Sequence, residues 1–241
     1  MAPMTKYSSW LIGIALLVSP HMAFAEEGYS DLVLSDPNQI FHIKTDTNGK
    51  VQEIRLNMEL LDQKLQALWR RAGDYPPKFS GSKEQEEAVR LLRFLINIVD
   101  TVKQDFEADG EMALRAGMLY AMAFNLNLPE AASRSSPQEL NARHYYELAV
   151  KFNPNDPHAH LYLGNFLCSA DAPQEGVAHL EKAVALGLTP ARYSLGLCYL
   201  MVGDKARAIE QLERYLEADP SNQQARDALT AIRSGRVEDK R

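Results

Sequence analysis

His160-Leu-Tyr-Leu-Gly-Asn-Phe-Leu167 and Arg192-Tyr-Ser-Leu-Gly-Leu-Cys-Tyr199 are one pattern written twice, 32 residues apart. Each places Leu-Gly in the middle and a large apolar residue one turn later. The echo continues downstream, where Gly176-x3-Leu180-x2-Ala183 parallels Ala208-x3-Leu212-x2-Tyr215. Self-similarity with a period in the thirties indicates stacked helical hairpins, because one such unit cannot bury its apolar face alone. A glycine inside a helix costs about 1 kcal/mol relative to alanine. Its recurrence at 164 and 196, and at 117 further upstream, implies close approach of a partner helix.

The pattern resembles the tetratricopeptide repeat, a helix–turn–helix of about 34 residues with a W-x2-L-G-x2-Y, A-x3-F and P signature. The clearest unit holds Leu195, Gly196, Tyr199, Gly203, Ala208, Leu212 and Pro220. The unit before it holds Leu163, Gly164, Leu180 and Ala183, with Leu167 for the aromatic and Gly176 for the alanine. A split unit precedes both, with Ala116, Gly117 and Tyr120 in its first helix and Ala142, Tyr146, Ala149 and Pro154 in its second. Gly117 and Gly164 lie 47 residues apart, which requires an insertion of about 13 residues near Asn125 to Pro137. Gly164 to Gly196 is shorter than the family period because Gly187-Leu-Thr-Pro190 turns tightly. Ala225, Ala228, Leu229 and Ile232 form one apolar stripe on a helix expected to cap the stack. The resemblance runs from Met112 to about Ser234. It implies an all-α tetratricopeptide-repeat helical-hairpin solenoid with a C-terminal capping helix, and a scaffold role with no partner named.

The other end reads differently. Lys6, the apolar run Trp10 to Val18, Pro20 and the small-x-small Ala23-Phe-Ala25 make residues 1–25 a secretory signal peptide. The apolar run is short of the roughly 20 residues that span a bilayer. Cleavage would remove Lys6 and no acid, so the formal charge moves from −6 to −7. That balance disfavours nucleic acid and anionic membrane surfaces. The expected product is exported, most simply to the bacterial periplasm.

Residues 26–50 read as extended or irregular, broken by Asp36-Pro37 and Asn48-Gly49; a sheet is not pressed. Asp46-Thr-Asn-Gly49 is a turn rather than a calcium loop, since Lys44 and Arg55 stand where carboxylates are needed. From Val51 the spacing of Ile54, Met58, Leu61, Leu65 and Leu68 predicts a helix closed by Arg70, Arg71 and Gly73. A second helix opens at the acidic run from Glu84, expected to be a solvated helix start, and buries Leu92, Leu95, Val99, Val102 and Phe106. Residues 51–110 thus form a helical hairpin, readable as a degenerate repeat in which Trp69 and Gly73 are spaced like Tyr199 and Gly203. Residues 111–234 are the repeat domain of about three repeats, and 235–241 a polar tail.

Cys168 and Cys198 lie four and two residues after their helix glycines. Unequal offsets, about 200° apart around a helix, argue for two buried free thiols rather than a bridge. His158 and His160 point to opposite sides of a helix and cannot share a metal, and His179, His144 and His42 lack evident ligand partners. No phosphate loop, nucleophile elbow or paired carboxylates appear, so no cofactor, no metal and no enzymatic activity are expected.

In the family, first helices line the concave wall. That resemblance places Leu114, Met118, Met122, Leu161, Asn165, Cys168, Tyr193, Leu197 and Met201 there, with His158 at the rim. Such an apolar wall marks a contact site, or is filled by the chain's own segments. The expected function is a protein–protein scaffold or adaptor of the cell envelope, taking a helix or peptide in this groove. The alternatives are self-association into a homo-oligomer and a non-catalytic subunit of an envelope enzyme or secretion assembly.

Overall fold

The structure, a computed structural model, describes residues 30–34, 36–49, 51–74, 76–102, 109–128, 139–170 and 172–235. The signal peptide, Phe106, most of the insertion and residues 236–241 lie outside these. Nine α-helices and one two-stranded sheet are present among the described residues. The chain divides into two compact units, 1–145 and 146–241.

The first unit begins with residues 30–34 and a 3-10 turn, Pro37–Ile40, whose N-cap Asp36 accepts from the Asn38 amide at 2.9 Å. Next comes an antiparallel hairpin, β1 (Phe41–Thr45) and β2 (Val51–Leu56), pairing Phe41 with Leu56 and Ile43 with Ile54. Asp46 accepts from the amides of Asn48 and Gly49, and Gly49 adopts φ +78°, so this stretch is the expected turn. The sheet and the assignment of Ile54 correct the sequence reading. Ile54 falls four residues before Met58 and so mimics a helical stripe, yet it is a strand residue in register with Ile43. The helix begins only after Asn57, whose side chain accepts from the Leu60 amide at 3.1 Å.

That helix is α1 (Met58–Ala72), followed by α2 (Ser82–Val102) and α3 (Gly110–Asn125). Both α1 and α2 pack against α3. Leu61, Leu65 and Leu68 of α1 and Leu92, Leu95 and Val99 of α2 are buried as their spacing predicts. Arg115 of α3 holds Asp62 of α1 by two hydrogen bonds, 2.6 and 2.9 Å, and Asn125 donates to the last carbonyls of α1, Ala72 and Gly73. Gly73 does not play the part of Gly203. It stays right-handed at φ −69° with the Trp69 ring against it, whereas Gly203 adopts φ +82°.

The division between units falls within α4 (Glu139–Phe152). The second unit continues with α5 (Pro157–Ser169), α6 (Pro173–Ala185), α7 (Ala191–Met201), α8 (Lys205–Ala218) and α9 (Gln223–Arg233). Asp156, Asp204 and Asn222 cap α5, α8 and α9 with their side chains. Leucine and tyrosine positions of the repeat make the core: Leu163, Leu180, Leu195, Tyr199 and Leu212 are all buried. Ala225, Leu229 and Ile232 of α9 close it, as expected of a cap. Gly187 at φ +92° lets the Leu188 amide bond back to Ala183, which ends α6 and makes the tight turn.

The helix glycines are contact points. A methyl group on Gly164 would lie 2.7 Å from Leu180 Cγ, and one on Gly196 2.9 Å from Leu212 Cγ. Gly176 is tighter still, 2.5 Å from Cys168 Sγ and 2.8 Å from the Gly164 carbonyl oxygen. The repeat signature prefers alanine there, and here sulfur takes the room. Gly176→Ala is therefore expected to destabilise the second unit by about 1–3 kcal/mol, overpacking outweighing the helix-propensity gain. Urea unfolding checks this, and the loss should shrink when Cys168 and Cys198 are both alanine; an equal loss in both backgrounds removes the sulfur from the explanation.

Candidate functional site

The largest departure from expectation lies on the wall itself. Cys168 of α5 and Cys198 of α7 form a disulfide, with Cα atoms 5.9 Å apart. The reading as free thiols is overturned, and the reason is geometric. Equal offsets on neighbouring, similarly oriented helices point the same way and cannot meet. Facing sides differ by about half a turn, which is what a two-residue difference in offset produces. The bridge takes Cys168 out of the proposed wall and ties the first helices of two successive repeats together.

The remaining wall residues divide between the units. Leu114, Met118 and Met122 belong to the first; Leu114 and Met118 are half-buried, and Met122 is fully buried in that unit's core. Burial removes Met122 from any open surface, because α3 packs against both α1 and α2 and most of its circumference is interior. Leu161, Asn165, Tyr193, Leu197, Met201 and His158 belong to the second unit. Leu161 and Tyr193 are half-buried against its core, and Tyr193 packs on Tyr215 with ring centroids 5.6 Å apart. Asn165 is exposed on α5. On α7, Tyr193, Leu197 and Met201 follow at four-residue spacing and share a face. Met201 is 57% exposed, and with Ile43 it is one of two exposed large hydrophobic residues among those described. His158 is exposed beside Asp156, its Nδ1 3.5 Å from the carboxylate.

Several polar contacts escaped the sequence reading. His160 is buried, its Nε2 3.1 Å from the Pro154 carbonyl and its Nδ1 3.0 Å from Nδ1 of His179. A carbonyl only accepts, so Nε2 of His160 carries hydrogen; in the neutral ring Nδ1 is then the acceptor and His179 the donor. His179 therefore has a partner after all. One repeat later Arg192 donates to Gln211 at 2.8 Å, across the same 19-residue separation. Residues 160 and 179 advance by 32 to give 192 and 211, so the two pairs hold the same place in successive hairpins. Tyr199 donates to Glu181 and carries the Arg207 guanidinium over its ring at 4.4 Å. Burial, then the Glu181 carboxylate, push the Tyr199 phenol up to about 12. These contacts bind one helix to the next.

No group of three or more metal-ligating side chains occurs among the described residues, and no helix among them is long and apolar enough to cross a membrane. The chemistry that these expected wall residues offer is apolar contact from Leu197 and Met201 and an exposed amide at Asn165.

Comparisons with known proteins agree with this architecture. The sequence model of the tetratricopeptide repeat matches residues 189–222. No curated protein matches the chain. A crystal structure of MamA superposes with a TM-score of 0.53 at 20% identity, covering 66% of this chain and 86% of that one. A second MamA structure gives 0.50 at 19% identity, covering 71% and 82%. TTC0263, described as a thermophilic TPR protein of Thermus thermophilus, gives 0.47 at 19% identity, covering 73% and 91%. The chain matches the tetratricopeptide-repeat model over residues 189–222, and it shares the helical-hairpin solenoid fold of the MamA structures.

Proposed function

We propose that the protein is an exported adaptor of the bacterial cell envelope that holds a helix or extended peptide of a partner against the α5–α7 wall. Tetratricopeptide-repeat folds generally mediate protein–protein interaction, through the surface their stacked hairpins present. The observation that carries the finer reading is the α7 stripe. Tyr193, Leu197 and Met201 pass from half-buried to exposed on one face, ending in a methionine that adapts to varied partners. A monomer gains nothing by wetting such a side chain, and a partner's apolar side chain would gain by covering it. Asn165, exposed on the disulfide-linked neighbour α5, offers an amide to a peptide backbone. Export is supported by the leader-like residues 1–25 and by a disulfide between buried cysteines, which suits an oxidising compartment.

A photo-crosslinking amino acid at position 201 tests this in the native envelope. Crosslinks to a defined partner are expected from position 201 and not from Glu210, exposed on α8. Leu197→Glu with Met201→Glu should reduce recovery of that partner at least tenfold and leave the helical circular dichroism intact. Equal recovery from both crosslinking positions, or no loss on adding the two glutamates, removes the wall as the binding surface.

A further inference from the structure

Lys64 is out of place. It lies in the stripe of α1 that contains Leu61, Leu65 and Leu68, and it is 8% exposed. Its ammonium donates two hydrogen bonds to main-chain oxygens, the carbonyls of Asp31 at 2.8 Å and Val33 at 2.6 Å. Those residues belong to a short strap, 30–34. Leu32 and Leu34 of the strap are 1% and 4% exposed. They lie beside Glu87, Arg90, Leu91 and Phe94 of α2, with a void of only about 10 Å³ between. The Asp31 carboxylate receives two bonds from Arg71, each 3.0 Å, and a third from Arg70 at 3.2 Å.

Burying a lysine is costly, and an apolar residue of similar volume would pack this stripe at least as well. Lys64 is accommodated because a peptide backbone supplies its acceptors. The strap is attached to the rest of the unit as a ligand is. Its one backbone–backbone hydrogen bond among the described residues is internal, Val33 to Ser30. Everything else is side-chain capture: a lysine for the carbonyls, two arginines for the acid, and apolar contact for two leucines.

We infer that the cleft between α1 and α2 is a peptide-binding site for short segments carrying an acid followed by apolar residues one and three positions later, and that Asp31–Leu34 occupies it in cis. The carbonyl contacts accept any sequence, while the Arg70–Arg71 clamp selects the acid and the leucine contacts select the apolar positions. A partner segment of this chemistry displaces the strap and need not break the hairpin or the helices. The tethered strap has a high effective concentration, so it holds the site against weak competitors.

The test uses the mature full-length chain and a fluorescein-labelled peptide of sequence Tyr-Ser-Asp-Leu-Val-Leu-Ser, residues 29–35. Leu32→Asp with Leu34→Asp should eject the strap. Anisotropy should then show saturable peptide binding at least tenfold tighter than to the wild-type chain. Binding should fall at least tenfold when the peptide's Asp is Asn, or when Lys64→Ala is added. An ejected variant that keeps its helical circular dichroism yet binds no peptide at millimolar concentration overturns the site, and so does indifference to Asp→Asn. Should ejection unfold the chain, hydrogen exchange on the wild type decides. Strap amides should exchange faster than the core of α1 and faster again with excess unlabelled peptide. Exchange only at the global rate, unmoved by peptide, makes the strap ordinary core.

Discussion

Reducing the Cys168–Cys198 bridge is expected to lower the unfolding free energy of the second unit by about 3–4 kcal/mol. The two residues are 30 apart in sequence, and closing a loop of that size restricts the unfolded chain by about this amount. For a unit of this length the melting temperature should fall by about 10–25 °C. The bridge joins the first helices of successive repeats, where a solenoid relies on nearest-neighbour contact alone. Calorimetry with and without reductant, and on Cys168→Ala with Cys198→Ala, measures the difference. A fall of less than about 3 °C in both experiments would mean that the bridge adds little to the packing already present.

The second large effect concerns Arg71. Its guanidinium bonds Glu84 at 2.6 Å and Asp31 at 3.0 Å, while Glu84 also accepts from the Ser80 amide at 2.6 Å and the Ser80 hydroxyl at 2.9 Å. The Arg71 and Glu84 side chains are only 15% and 10% exposed. Arg71→Met leaves Glu84 a buried charge without its cation, at an expected cost of about 3–5 kcal/mol at neutral pH. The pH dependence follows from the two acids. The Ser80 amide, then Arg71, hold the Glu84 carboxyl below its ordinary 4.5. Burial alone would raise Asp31, and Arg71 with Arg70 reverse that, leaving it below its ordinary 3.8. Groups lowered in the folded state add stability above their ordinary pKa and lose it as pH falls through the lower folded value. The gap between wild type and Arg71→Met should therefore be full at pH 7 and close progressively below about pH 4. Urea unfolding at pH 7 and at several acidic values checks it; a gap that does not change with pH would place the effect in packing.

This cluster also marks where a linear reading fails. The acidic run from Glu84 has the composition of a solvated helix start, and most of it is: Gln85 and Glu86 are exposed. Glu84 is not, because α2 begins beside the end of α1 and under the strap. Nothing within four residues of Glu84 announces Arg71 as its partner. The hairpin β1–β2 was lost for a related reason. It has few residues, and Ile54 stands at a helical distance from Met58 and a strand distance from Leu56.

The hairpins of the second unit, by contrast, were legible from their spacing. Glycines 164 and 196, the leucines that pack on them and the stripe of α9 need only a helical period and a rule that small faces large. Those are properties of spacing along the chain, and spacing alone determined the stacked hairpins and their cap. Which side chains meet across helices depends on how each helix is rotated toward its neighbour. That rotation, a property of the packed whole, decided the disulfide, the His160–His179 bond, the burial of Met122 and the seating of the strap on Lys64 and Arg71.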